Sequence, residues 1–239
     1  MTAVRSEPIK PLPIERIRVV SATRASEEEF KASLLARSLQ RLAYDPRIVA
    51  DVTFSNSQGL PSVYNRAIRS ARVGEALVFV HDDLFIDDFN LFVRLLEALQ
   101  QFDLVGVAGN ANPHPAHVSW FYFRDGQKEL KQQDRRSLSG VVAHGEVGAP
   151  DVWAYGLTPR PCVLLDGCFL AASGKVLLDH EMFFDERFKF HFYDLDFCRT
   201  AACDGMRVGT WPIAVTHKSV GSFGSTDWER SLEEYQRKW

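Results

Sequence analysis

Residues 76–86 read ALVFVHDDLFI, an unbroken apolar run that halts at His81, Asp82 and Asp83 and then resumes. A short apolar run bounded by polar residues predicts a strand buried on both faces. A carboxylate beside an apolar core is costly unless it is paired, solvated or bound to a cation. Two of them at the end of a buried strand therefore demand a compensating partner.

Upstream, IRVVSATR predicts a strand, and Ser26 with Glu29 forms a capping box that opens a helix carrying Phe30, Leu34, Leu35, Leu39 and Leu42 at helical spacing until YDP. RIVADVTFS then reads as strand, LPSVYNRAIRSA as helix, ALVFVHDD as strand, DDFNLFVRLLEALQQF as helix and DLVGVAG as strand. This alternation predicts an α/β fold with a mostly parallel, doubly wound central sheet and helices on both faces. In such sheets ligands bind beyond the carboxyl ends of the strands, where Asp82 and Asp83 fall.

The rhythm fails from about 110 to 160, which reads as an irregular insertion with a hairpin around Arg124, Asp125 and Gly126. It returns with PCVLLDGCFLAASG, a helix in the second half of FDERFKFHFYDLDFCRTAACDG capped by Gly205, and the strand MRVGTWPIAV with His217 just beyond it. The tail TDWERSLEEYQRKW has acidic residues early and basic ones late, as a helix dipole prefers. The expected division is a flexible leader at 1–14, one domain at 15–224 and a terminal helix at 225–239.

The 239 residues are 46% hydrophobic and 25% charged, enough to bury a large core. Lys+Arg 28 against Asp+Glu 31 gives a net charge of -3, so bulk charge makes no case for nucleic acid or an anionic membrane. No apolar run is long enough for a transmembrane segment, and MTAVRSEPIKPLPIER lacks a signal's apolar core, so a cytoplasmic protein is expected. Cys162, Cys168, Cys198 and Cys203 lack C-x-x-C spacing and read as buried free thiols.

Three stretches carry candidate chemistry. Asp82 and Asp83 suit a hard divalent cation, or one of them caps a turn and pairs with an arginine. Asp194 and Asp196, in HFYDLDFCRTAA, fall where carboxylates cap the first amides of a helix. His217 follows a strand; alone it is an ordinary core or surface histidine, but imidazole beside carboxylates suits manganese and similar ions. His114 and His117, in PHPAH, read as loop residues rather than a zinc site.

Together and in this order, these motifs resemble the nucleotide-sugar-dependent glycosyltransferases of family 2, which have the GT-A fold. The resemblance runs from roughly Val19 to Ser222 and is nearest to the glycosyltransferases of streptomycin biosynthesis. VFVHDDLFI resembles the family's metal-binding Asp-x-Asp element, FSNSQGLPSVYNRAI its donor-holding segment, VLLDGCFLAAS its acceptor-side strand, and FDERFKFHFYDLDFCRTA the Glu-Asp-x-Asp region with the base. GMRVGTWPIAVTHKSVGS ends at the family's histidine. The chain departs from the pattern at His81, where the first acidic residue of Asp-x-Asp is expected, and at Tyr193, where a glutamate precedes the base.

The resemblance implies metal-dependent, inverting transfer of a sugar from a nucleoside-diphosphate sugar donor to a hydroxyl of a glycan or small-molecule acceptor, in polysaccharide, lipopolysaccharide or secondary-metabolite assembly. Mn2+ or Mg2+ would be held by Asp83 and His217, with Asp194 as base. The donor would lie along Ser21, Ala22, Thr23, Asp51, Asn56, Asn65 and Asp82. The acceptor side would hold Asp166, Gly167, Trp153, Tyr155 and Asp196, with Trp120 and Tyr122 as further stacking candidates against core roles. The alternative is a protein on the same fold that binds a sugar nucleotide or glycan without turnover. A nucleotidyltransferase is disfavoured because SATRASEEE has no glycine to cradle a triphosphate. A DLDFC phosphatase is disfavoured because its nucleophile should end a strand. The oligomeric state is left open, a homodimer included.

Overall fold

The computed structural model describes residues 14–126, 129–219, 221 and 223–239, so the expected leader at 1–14, apart from Ile14, lies outside the described residues. The chain opens with β1 (Arg16–Ala22), α1 (Glu27–Phe30), α2 (Leu34–Leu42), β2 (Ile48–Thr53), α3 (Leu60–Arg69) and β3 (Glu75–Val80). Next come β4 (Leu84–Ile86), α4 (Leu91–Gln101), β5 (Leu104–Gly106), β6 (Ala108–Asn110), β7 (Tyr122–Arg124), β8 (Leu130–Gln132), β9 (Leu138–His144) and β10 (Asp151–Gly156). β11 (Arg160–Pro161), β12 (Leu164–Leu165), β13 (Phe169–Ser173), α5 (Gly174–Asp179), α6 (Tyr193–Cys203), β14 (Val208–Thr210), β15 (Val215–His217) and α7 (Thr226–Lys238) complete it.

A seven-stranded sheet runs β11-β14-β5-β13-β3-β1-β2, and a second runs β12-β6-β9-β15-β4 with β10 added to β9. β3 is buried at every residue because β1 flanks it on one side and β13 on the other. The expected mostly parallel sheet is corrected here: the sheet is mixed. β2, β1 and β3 are parallel, but β13 enters antiparallel to both β3 and β5. The reason is that β13 follows the long excursion after β6 rather than a helical crossover, so the chain can return in the opposite sense.

Three local expectations also change. The Ser26 capping box is present, but Ser33 caps a second start, so one expected helix becomes α1 and α2. MRVGTWPIAV divides into β14 and β15 around Pro212, whose missing N–H cannot continue a ladder, and the halves join different sheets. The 110–160 stretch is ordered into the β7–β8 hairpin, at the expected turn, and the antiparallel β9–β10 pair. Cys162, Cys168 and Cys198 are buried free thiols, whereas Cys203 is exposed. Among the described residues no helix is long and apolar enough to cross a membrane.

This arrangement brings the end of β3 to the second sheet. β15 pairs with β4, setting His217 opposite Leu84, and with β9, setting His217 opposite His144.

Candidate active site

After Val80 the chain turns, with Leu84 N–H donating to the His81 carbonyl at 3.3 Å. That turn returns the chain into β4 beside β15, so the residues flanking it meet His217. One ligand atom from each of His81, Asp83 and His217 lies within 4.8 Å of the others. His217 Nε2 is 3.2 Å from Asp83 Oδ1 and 3.2 Å from Ser219 Oγ. Burial pushes the Asp83 carboxyl up, but the hydrogen bond and charge of His217 outweigh it and hold Asp83 well below the usual carboxylate range. Burial likewise pushes His217 down, but the Asp83 hydrogen bond and the charges of Asp166 and Asp83 raise it overall. Two imidazoles and one carboxylate, converging and partly withdrawn from water, fit a divalent transition metal as a donor set.

The expected metal pair, Asp83 and His217, is therefore brought together, and His81 joins it. At the sequence level His81 read as a lost ligand. The available signal was the spacing His-x-Asp, since a turn of this kind puts positions i and i+2 within reach of one ion.

The base candidate lies on the first turn of α6. Phe192, immediately before it, is in the left-handed region at φ 66°, an uncommon conformation for a bulky side chain. Asp194 Oδ2 accepts the Gly167 N–H at 2.9 Å. Burial and the Asp166 charge raise the Asp194 pKa from 3.8 to about 7, against backbone hydrogen bonds from Leu195, Gly167 and Asp194 itself. Capping of the helix amides and a poised carboxyl thus coexist in one residue. A Cβ on Gly167 would lie 2.6 Å from Tyr193 Oη and 2.8 Å from Asp194 Cβ, so this close approach of β13's leading loop to α6 requires glycine.

Asp166 Oδ1 accepts the Cys168 N–H and its Oδ2 the Trp120 Nε1–H, both at 2.8 Å. Trp120 in turn meets Tyr155 edge-on, with ring centroids 4.8 Å apart. Asp194, Asp166, His81 and His217 line one cavity of about 850 Å3. Its walls are largely aromatic, including Trp120, Tyr122, Trp153 and Tyr155. His144 belongs to the same cavity and was missed from sequence; its Nε2 is 3.1 Å from Tyr155 Oη, and its buried Nδ1 has no hydrogen-bond partner among the described residues.

Other expected residues lie elsewhere. Asp196 turns to the C-terminal helix, where its carboxylate receives Lys238 Nζ at 2.7 Å and Trp239 Nε1–H at 2.8 Å. Asn65 is buried and spent on the Phe184 backbone, accepting its N–H at 2.8 Å and donating to its carbonyl at 2.9 Å. Asp51 pairs with Arg18 at 3.3 Å, within a network that includes buried Glu75. The Ser21 hydroxyl donates to the Val80 carbonyl, Thr23 Oγ1 accepts the Ala25 N–H, and Ala22 is buried at the end of β1. Asn56 joins this edge by donating its N–H to the Thr23 carbonyl. Asp82 is half-buried and outside the His81–Asp83–His217 cluster. His117 bonds the His114 carbonyl and Tyr235 Oη, and His114 Nδ1 accepts the Ala116 N–H, so these two rings serve the loop's structure.

No protein-family model and no curated protein matches the sequence. Solved structures with a similar fold include GalNAc-T7 with UDP, GalNAc and Mn2+, at TM-score 0.51 and 11% identity, covering 93% of this chain and 48% of that one. Others are a Drosophila beta-1,4-galactosyltransferase 7 mutant with manganese, UDP-Gal and xylobiose, at TM-score 0.44 and 10% identity over 89% and 68% of the two chains, and 4-diphosphocytidyl-2C-methyl-D-erythritol synthase from Anaerococcus prevotii, at TM-score 0.44 and 10% identity over 93% and 99%. This chain spans about half the length of GalNAc-T7, and the likeness between them is one of fold: a GT-A-like mixed α/β architecture.

Proposed function

We propose that this protein is a metal-dependent glycosyltransferase that moves a sugar from a nucleoside-diphosphate sugar to an acceptor hydroxyl with inversion at the anomeric carbon. The carrying observation is that a His81–Asp83–His217 donor set and a buried carboxyl raised to about 7 line or border one cavity. GalNAc-T7, whose fold this chain shares, is described with UDP, GalNAc and Mn2+.

His81, Asp83 and His217 would hold the ion, which when bound supplies Lewis-acid neutralisation of the diphosphate as it departs. With two imidazoles in the set, manganese suits it better than magnesium, which favours oxygen donors and waters. Asp194 would take the proton of the acceptor hydroxyl as that oxygen attacks the anomeric carbon from the face opposite the leaving group. A base near 7 is well matched to that transfer at neutral pH. The aromatic walls would exclude water and seat the acceptor through ring faces. The donor's nucleoside would lie at the β1 edge, near Thr23, Asn56 and Asp82.

The test is calorimetry with UDP-, GDP- and TDP-sugars with and without Mn2+, followed by transfer assays on an acceptor panel. Metal-dependent donor binding and transfer are expected, with Asp194→Asn keeping donor affinity but losing about 10²–10⁴-fold in rate. Binding without transfer or hydrolysis favours the non-catalytic alternative, and no binding by any sugar nucleotide rejects the transferase reading and leaves only glycan binding without turnover.

A further inference from the structure

The two departures from the family pattern, His81 and Tyr193, touch each other. They are 112 positions apart in sequence, yet His81 Nε2 lies 2.9 Å from Tyr193 Oη. Tyr193 Oη also donates to the Gly167 carbonyl at 2.9 Å. A phenol has one proton, so the hydrogen in the contact with His81 must sit on Nε2. A neutral imidazole protonated at Nε2 carries its lone pair on Nδ1.

We propose that Tyr193 is a positioning residue of the metal centre that holds His81 in the tautomer ligating through Nδ1. A metal-bound histidine commonly donates its second ring N–H to an oxygen, which orients the ring and raises its basicity. Tyr193 supplies that oxygen without charge, and burial pushes its own ionisation far up, so the phenol stays neutral. A carboxylate at position 193 would instead stand beside buried Asp194, whose pKa is already raised by burial and by the Asp166 charge. The ligand thereby gains its outer support from a neutral group.

The same geometry joins the metal side to the base side. One residue, Gly167, donates its N–H to Asp194 and accepts from Tyr193 through its carbonyl. The first turn of α6 therefore carries both the proposed base and the support of a proposed ligand, held against a single residue.

This inference rests on the metal-centre reading above, and its test does not need turnover. The full chain, stripped of metal, is titrated with Mn2+ alone, following free Mn2+ by electron paramagnetic resonance. Tyr193→Phe removes only the hydroxyl and leaves the ring beside Tyr64 and Phe184. It is expected to bind Mn2+ about 10–100-fold more weakly. His81→Ala is expected to lose at least as much, and the double variant no more than His81→Ala. In the metal-free wild type, ¹⁵N NMR of the histidines should place the His81 proton on Nε2. Unchanged Mn2+ affinity in Tyr193→Phe, losses that simply add in the double variant, a proton on Nδ1, or a wild type that binds no Mn2+ would each overturn the proposal. The wild-type NMR result decides it should Tyr193→Phe not fold. Metal binding that follows this pattern in a protein that binds no sugar nucleotide would sink the transferase reading and leave this one standing.

Discussion

Asp194 shows how a single residue bears opposing demands. Its carboxyl titrates near 7 in the fold against 3.8 as a free side chain, because burial and the Asp166 charge outweigh the helix amides that it accepts. Between about pH 4 and 7 the unfolded chain ionises at this position while the fold does not, so Asp194 lowers stability progressively across that window and no further above it. At roughly 1.4 kcal/mol per pKa unit, the expected penalty at pH 8 relative to pH 4 is on the order of 2–4 kcal/mol. Asp194→Asn should lack that slope, so urea unfolding of the metal-free proteins should find the variant gaining on the wild type from pH 4.5 to 8. Equal pH dependence in both would mean that the carboxyl is not held neutral. If Asp194 is the base, transfer rate should climb through the same region, giving stability and activity opposite trends with pH.

At the scale of elements, α6 and α7 act together. Asp196, two residues beyond the proposed base, is almost fully buried and is gripped by Lys238 and Trp239 at the end of α7. Phe192, before α6, lies under Trp228 and Tyr235 of α7, with ring centroids 5.5 and 5.3 Å away. The Arg124 guanidinium adds a two-pronged pair to Glu229, tying the β7–β8 hairpin to the same helix. Asp196→Ala should cost about 1–3 kcal/mol, below the range for a fully buried pair because Lys238 is 27% exposed. Hydrogen exchange should rise across α7 before it rises in β1 or β3, because the helix loses its terminal anchor. Uniform acceleration would show that the helix is not held there.

At the scale of the whole molecule, the candidate metal site is assembled from two sheets. His81 and Asp83 follow β3 of the first, whereas His217 ends β15 of the second. An ion bound across that junction engages only the folded chain, so saturating Mn2+ should raise the melting temperature. At about 100 times the dissociation constant the gain is roughly 2.7 kcal/mol, and about 5–10 °C for a chain of this size. His217→Ala should abolish that rise. Retention of the full shift would place the ion elsewhere.

Much of this was legible in the residues themselves, for a local reason. The apolar run of β3, the Ser26–Glu29 box, the helical spacing of α3 and α4 and the turn at Arg124–Gly126 are all set by neighbours a few positions apart. Their periodicity predicts the elements and leaves Asp83 at a strand's end. The direction of β13, the division of β14 from β15 and the order within 110–160 were not legible, because three-residue strands carry too few periods and pairing sense depends on distant partners. The same holds within the site. The residue types of His81, Asp83, Asp194 and His217 were written in the chain, but that His81 stands with His217 and touches Tyr193, and that Asp196 serves α7, follow from distances across more than 40 positions. Chemistry of individual groups is local; which groups share one ion or one proton is decided only when separate sheets close on each other.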